Sequence, residues 1–250
     1  MNTAYQILEQ RFERKNTLEH IVALIDLDGQ LNAPSAASNG RGEQKTLLEL
    51  RIHEILTMPD WDEVFDKLEN AADLDEWQTA NVRKAKEEVG EAMLFPAELV
   101  ERLAKARNDS VNVWFNAREN NDFDAFRPHL EELVALQRQA AALKNPKQPY
   151  DALLDSYESG MTQSFINPLF DDLKAFLPDF IKEVRTRQSD KTAGFEQVYP
   201  IENQIDFCKK LMERMGFDFS RGRMDVSKTA FCTTLGKDDI RIVSHFSTQN

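Results

Sequence analysis

Gly216-Phe217-Asp218-Phe219-Ser220-Arg221-Gly222-Arg223-Met224-Asp225-Val226-Ser227 is followed by Phe231-Cys232-Thr233-Thr234-Leu235-Gly236-Lys237-Asp238-Asp239 and by Ile240-Arg241-Ile242-Val243-Ser244-His245-Phe246. In this stretch helical spacing gives way to short β-rich runs separated by Gly-bearing turns. Ile240, Arg241 and Ile242 alternate apolar, basic, apolar, the period of a half-buried strand. Everything before residue 216 reads as helix and loop. The predicted fold class is therefore mainly α, a multi-helix scaffold with a small antiparallel β element near the C-terminus, organised as a single domain over residues 1–250.

Working back from that stretch, Pro200 opens a helix whose apolar positions are Ile201, Ile205, Phe207, Leu211 and Met212, and Gly216 supplies a left-handed exit. Residues 188–197 are polar and predict a loop. Phe165, Leu169, Leu173, Phe176 and Leu177 mark a long helix running to about Arg187, preceded by a turn at Gly160-Met161-Thr162. Pro149 precedes a short helix over 150–157, and Pro128 is read as opening the helix that carries Leu130, Leu133, Leu136 and Leu143. A break at Asn120-Asn121-Asp122 ends the helix that begins after Pro96.

Residues 73–95 form a charged helix with Trp77, Val82, Ala85, Val89 and Met93. Asp60 is expected to cap a short helix bearing Trp61, Val64, Phe65 and Leu68. Residues 43–57 form a helix with a broad apolar face, and 31–42, rich in Asn, Ala, Ser, Gly and Pro, predict a loop. The first helix places Tyr5, Leu8 and Phe12 on one stripe and Leu18, Ile21, Val22 and Ile25 at helical spacing, ending near Asp28-Gly29.

The 250 residues carry a net charge of -12 with 41% hydrophobic and 30% charged residues, enough apolar content to build a sizeable core. That acidity, without a clustered basic patch, argues against general nucleic-acid binding. No apolar run approaches the roughly 18 to 20 residues that cross a bilayer, so no membrane partner is expected. Cys208 and Cys232 lie in no metal-ligand spacing, and nothing at the N-terminus resembles a signal peptide, which makes a reducing cytoplasm the expected setting.

The four histidines are His20, His53, His129 and His245. His53-Glu54-Ile55-Leu56-Thr57 falls one residue short of a zinc-binding H-E-x-x-H helix, because Thr57 stands where the second imidazole must be. His53 therefore reads as a helix-surface residue, and His20 and His129 have no ligand-spaced partner. Acidic pairs such as Asp122 with Asp124 and Asp171 with Asp172 read as a solvated face. The aromatic residues fall at helical spacing and read as core. Asp239 and Arg241, two residues apart on a strand, point to one side. The guanidinium fork of Arg241 suits a carboxylate, either that of Asp239 in a structural pair or that of a ligand.

Three longer segments carry a resemblance: Ala117-Arg118-Glu119-Asn120-Asn121-Asp122-Phe123-Asp124-Ala125-Phe126-Arg127-Pro128-His129-Leu130, Pro149-Tyr150-Asp151-Ala152-Leu153-Leu154-Asp155-Ser156-Tyr157-Glu158-Ser159-Gly160-Met161-Thr162, and residues 216–227 quoted above. Together with Leu18-Glu19-His20-Ile21, they resemble the front half of the carboxypeptidase Taq family, peptidase family M32. The resemblance implies a mostly helical, often homodimeric metallocarboxypeptidase with a deep groove. It also implies that zinc or another divalent metal in the full-length family is held by an H-E-x-x-H helix and a later Glu. Those elements lie beyond the part of the family that this chain resembles, so no metal ligand, catalytic residue or cofactor is expected within it.

The family's His-Pro-Phe is Thr229-Ala230-Phe231 here, its Asp-x-Arg-x-Thr is Asp239-Ile240-Arg241-Ile242-Val243, and its Trp-Asp is Leu27-Asp28. The matching positions Phe231, Asp239 and Arg241 are the candidate substrate-groove residues. Three readings follow: the front half of a peptidase that is inactive alone, one half of a split peptidase, or a non-catalytic helical module that interacts or dimerises.

Overall fold

A computed structural model describes residues 2–188 and 198–248. The loop expected over 188–197 lies, apart from Gln188, outside the described residues. Among them are nine α-helices and three strands, the mainly α fold with a small terminal sheet that the hydrophobic periodicity predicts. The chain divides into two compact units, residues 1–140 with 209–245 and residues 141–208 with 246–250.

The first unit begins with α1 (Thr3–Leu31), started by Asn2, whose side-chain oxygen accepts from the Ala4 and Tyr5 amides. The helix runs on through Asp28-Gly29, its expected end, because the Asn32 amide still closes on the Asp28 carbonyl at 2.9 Å. The predicted loop over 31–42 is also shorter than expected. A 3₁₀ turn (Ser35–Ala37) leads directly into α2 (Ser38–Leu56). Two tertiary contacts hold its glycine-rich first turns helical. Arg41 reaches back to the Ile25 carbonyl at 3.2 Å and pairs with Asp28, and Gly42 lets Asn108 approach so closely that a Cβ there would meet its amide.

Next come α3 (Trp61–Glu69) and α4 (Glu76–Leu94). Asp60 does not cap α3 through its side chain; its carboxylate is taken by Arg11 at 2.5 Å. Asp75 and Gln78 instead form a reciprocal capping box on α4, the arrangement that satisfies two orphan amides at once. The core centres on fully buried Trp61, stacked on Phe65 at 5.2 Å with Phe12 edge-on at 6.0 Å. Its indole N–H donates to the Ile55 carbonyl at 2.9 Å. Tyr5, Leu8, Val64, Leu68, Val82 and Val89 complete this cluster. Trp77, expected among the apolar positions of α4, is 82% exposed, so the buried stripe of that helix starts at Val82.

Helix α5 (Ala97–Asn120) ends on Asn121 in the left-handed conformation, φ 54°. Then α6 (Phe123–Lys144) starts five residues before Pro128, which lies inside it rather than opening it. The Asp122 side chain accepts from the Ala125 amide at 3.1 Å, and this cap, not the proline, sets where the helix begins. Leu99, Ala106, Leu136 and Ala140 form a second buried cluster on these helices.

In the second unit α7 (Pro149–Asp155) and α8 (Gln163–Arg187) are separated by Gly160 at φ 81°. Asp151 reaches the Gln163 amide at 2.8 Å and ties one helix to the start of the next. No residue of α8 is buried, although its phenylalanines read as core from their spacing. The last helix, α9 (Ile201–Arg214), likewise buries none of its residues, and Gly216 follows at φ 90° as the predicted left-handed exit.

The sheet lies in the first unit, in the order β1 (Gly222–Val226), β3 (Asp239–Ser244), β2 (Phe231–Gly236). β2 and β3 are the expected antiparallel hairpin, while β1 runs parallel to β3, making the sheet mixed. No helix of the described residues is long and apolar enough to cross a membrane.

Candidate functional site

The three groove candidates lie on the same face of the small sheet. Asp239, Arg241 and Val243 alternate onto one side of β3, and Phe231 on β2 is paired directly opposite Val243. The order along that face is an aromatic ring, then Thr233 opposite Arg241, then Asp239 near the turn. Val243, beside Phe231 on that face, is 2% exposed.

Arg241 grips Asp239 with two bonds, Nε to Oδ1 and Nη2 to Oδ2, the latter at 2.9 Å. This bidentate geometry adds direction to charge. Arg241 lowers the pKa of Asp239 below the usual carboxylate range, chiefly through the side-chain hydrogen bond. The same bond raises the pKa of the guanidinium. The fork is therefore engaged within the chain, and a ligand carboxylate at Arg241 would have to share it with Asp239.

Spacing did not bring two further residues to this site. Arg223 on β1 stands opposite Arg241, and Asp225 stands opposite Val243. Arg223 Nε donates to Asp225 Oδ2 at 2.9 Å. Two arginines thus sit side by side on adjacent strands, each answered by a carboxylate two residues away on its own strand. The parallel pairing of β1 with β3 makes this arrangement, and no local pattern encodes it.

The sheet is fastened to the helices beside it. Thr229 Oγ1 donates to Gln30 Oε1 of α1 at 3.2 Å, and Lys228 pairs with Glu119 of α5. The hairpin turn is clamped to the start of β1 by Arg221, which holds Asp238 at 2.7 Å and the Lys237 carbonyl at 3.2 Å. Gly222 is required there. A Cβ would lie 2.4 Å from Phe217 Cζ and 2.9 Å from the Ile240 carbonyl oxygen.

A cleft of about 520 Å³ opens elsewhere in the first unit, lined by Val22, Ile52, Leu56, Ala92 and Phe95 with Glu19, Glu49, His53, Glu88 and Glu91. His53, expected on the helix surface, is half-buried in it, and burial pushes its pKa down. Burial also pushes the Glu49 pKa up, against the pull of Arg107 and Lys45. Lys15 is buried between Glu88 at 2.6 Å and Glu19 at 3.0 Å. Burial lowers its pKa, but the two carboxylates outweigh that and leave it above the ordinary value. Leu27, where the family has Trp, is buried at 3%, and its neighbour Asp28 holds Arg41 and Asn32.

Residues 7–250 match the sequence profile of the carboxypeptidase Taq (M32) metallopeptidases. The chain belongs to this family. Carboxypeptidase 1 of Bacillus subtilis is 29% identical over 228 residues, covering 90% of this chain and 46% of the relative. Thermostable carboxypeptidase 1 of Thermus thermophilus is 29% identical, covering 97% and 50%. Among solved structures, BsuCP superposes with a TM-score of 0.92 at 28% identity, over 99% of this chain and 50% of its own. Trypanosoma cruzi metallocarboxypeptidase 1 gives 0.84 at 32% identity, over 100% and 51%. This M32 chain spans about half the length of the curated relatives it matches.

The family name implies a metal. Among the described residues no three His, Cys, Asp or Glu side chains converge where one ion could be held. His20, His53 and His129 are spread over α1, α2 and α6, and the ring of His245 lies against the Ser227 carbonyl. Among the described residues of this M32 chain, the donor set does not by itself form a catalytic metal centre.

Proposed function

We propose that this chain is the front half of a metal-dependent carboxypeptidase. It would remove C-terminal residues from peptides only when joined by the metal-binding half of the fold, and would be inactive alone. The observation that carries the reading is its agreement, over 99–100% of its length, with one half of BsuCP and of Trypanosoma cruzi metallocarboxypeptidase 1, each about twice as long. In this reading Phe231, Asp239 and Arg241 form the rim of the peptide groove. Phe231 offers an apolar surface to a peptide side chain, and the Arg241 fork would take a C-terminal carboxylate by sharing it with Asp239. Water activation belongs to the other half, zinc or another divalent ion being the expected Lewis acid.

The test is an assay of the purified chain on N-blocked dipeptides with added zinc or cobalt, alone and co-expressed with the second half of the Bacillus subtilis relative. The expected result is no release alone and measurable release from the pair. Stoichiometric metal in the chain alone, with hydrolysis, overturns the reading.

A non-catalytic interaction module draws support from Thr229, Ala230 and Val243, where the family motifs carry other residues. A paired sample that assembles and binds metal but does not cleave would favour it.

A further inference from the structure

Helix α8 has the composition of a buried helix and the exposure of a surface one. Phe165, Leu169, Leu173, Phe176, Phe180 and Val184 recur at three- and four-residue steps, which places them on one face. They are 61%, 55%, 45%, 58%, 47% and 44% exposed. Phe176 and Phe180 stack on each other at 5.1 Å with their outer surfaces uncovered. Pro178 and Lys182 lie on the opposite side, so the helix is amphipathic, and its apolar side is exposed.

With the flanking apolar positions the uncovered face amounts to roughly 800 Å², taking about 150–250 Å² for each large apolar side chain. The largest apolar patch of an ordinary monomer is about 300–600 Å², while one side of a standard protein interface is about 800 Å². A face of this size is an interface.

We infer that the outward face of α8 is the seat of the second half of the M32 fold, the polypeptide that makes up the remaining half of each relative. This rests on the reading proposed above. Two observations choose this occupant over a second copy of the chain. The relatives carry as many residues again as this chain covers, so their version of this region has that polypeptide available to cover it. Self-association would bring together two chains of net charge -12. Helix α8 is itself neutral, its Asp171, Asp172, Asp179 and Glu183 matched by Lys174, Lys182, Arg185 and Arg187, so it brings no opposite charge to offset that.

The test co-expresses the affinity-tagged 250-residue chain with the untagged second half of the Bacillus subtilis relative and measures what co-purifies. Equimolar recovery is expected. The double variant Leu173→Glu/Phe176→Glu should recover about tenfold less or worse, and Lys182→Glu on the opposite side should match the wild type. In isolation the double variant should keep the wild-type circular dichroism and thermal midpoint, because both side chains are largely exposed and the Phe176–Phe180 stack lies within one helix. The inference is overturned by any of four results: no co-purification with the wild type, recovery unaffected by the double variant, a wild-type homodimer that the double variant dissociates, or loss of the isolated double variant's cooperative transition. A complex that forms through α8 yet cleaves no peptide removes the proposed activity and leaves the docking face standing.

Discussion

Arg223 and Arg241 face each other across adjacent parallel strands, and each is held by a carboxylate two residues away on its own strand, Asp225 and Asp239 respectively. Like charges opposite one another on a sheet are unfavourable. The alternating carboxylates are what make the pair tolerable.

Replacing Arg241 with Gln should therefore raise the carboxyl pKa of Asp239 from its depressed value toward the ordinary 3.8, measured by NMR titration. The sign for stability follows from the depressed folded pKa. The contribution of Asp239 is present above the unfolded pKa and is lost as pH falls through the lower, folded one. The pair is solvent-accessible, so the effect at neutral pH should be small, about 0.2–1 kcal/mol. An Asp239 titration unchanged by the substitution would refute the linkage.

Trp61 should be the most costly single truncation in the first unit. It is fully buried and anchored to the Ile55 carbonyl. Trp61→Ala should destabilise by about 3–5 kcal/mol. Trp61→Phe, which keeps a ring but orphans the carbonyl, should cost about 1–3 kcal/mol. Urea unfolding followed by circular dichroism separates the two.

Gly222→Ala should cost about 1–3 kcal/mol, the range for forcing extra atoms into a packed site. Adding Phe217→Ala should recover part of the loss by removing the nearer clash, while the Ile240 carbonyl at 2.9 Å remains. Full recovery would show that the strand backbone is not involved. The comparison needs thermal midpoints of the two variants and the wild type.

Glu49 and His53 should bend the stability profile from opposite ends. A half-buried Glu with a raised pKa is favourable while protonated and loses stability as pH rises through its folded pKa. Glu49→Gln should thus be more stable than the wild type at pH 7, with the difference closing below about pH 4. His53, whose pKa is depressed by burial, loses stability as pH falls below the ordinary 6.5. His53→Gln should flatten the curve as pH falls below about 6.5. Thermal scans at stepped pH provide both readings.

What the sequence by itself determined is what lies within a few residues of its own cause. The apolar stripes that make the helices, the Asn121 and Gly216 exits, the β2–β3 hairpin and the shared side of Asp239 and Arg241 all follow from three- and four-residue steps or strict alternation. The motif residues of the family were legible only through the resemblance that residues 117–130, 149–162 and 216–227 carry. Tertiary structure alone decided where distant segments meet. It kept Gly40 and Gly42 in α2 through Arg41 and Asn108, moved the start of α6 from Pro128 to the Asp122 cap, and drew Asp60 away from its cap to Arg11. It also set β1 parallel to β3, bringing Arg223 beside Arg241. Most of all it left the phenylalanines of α8 outside. Periodicity shows that a helix has an apolar face, but only the neighbours packed around it decide whether that face is covered.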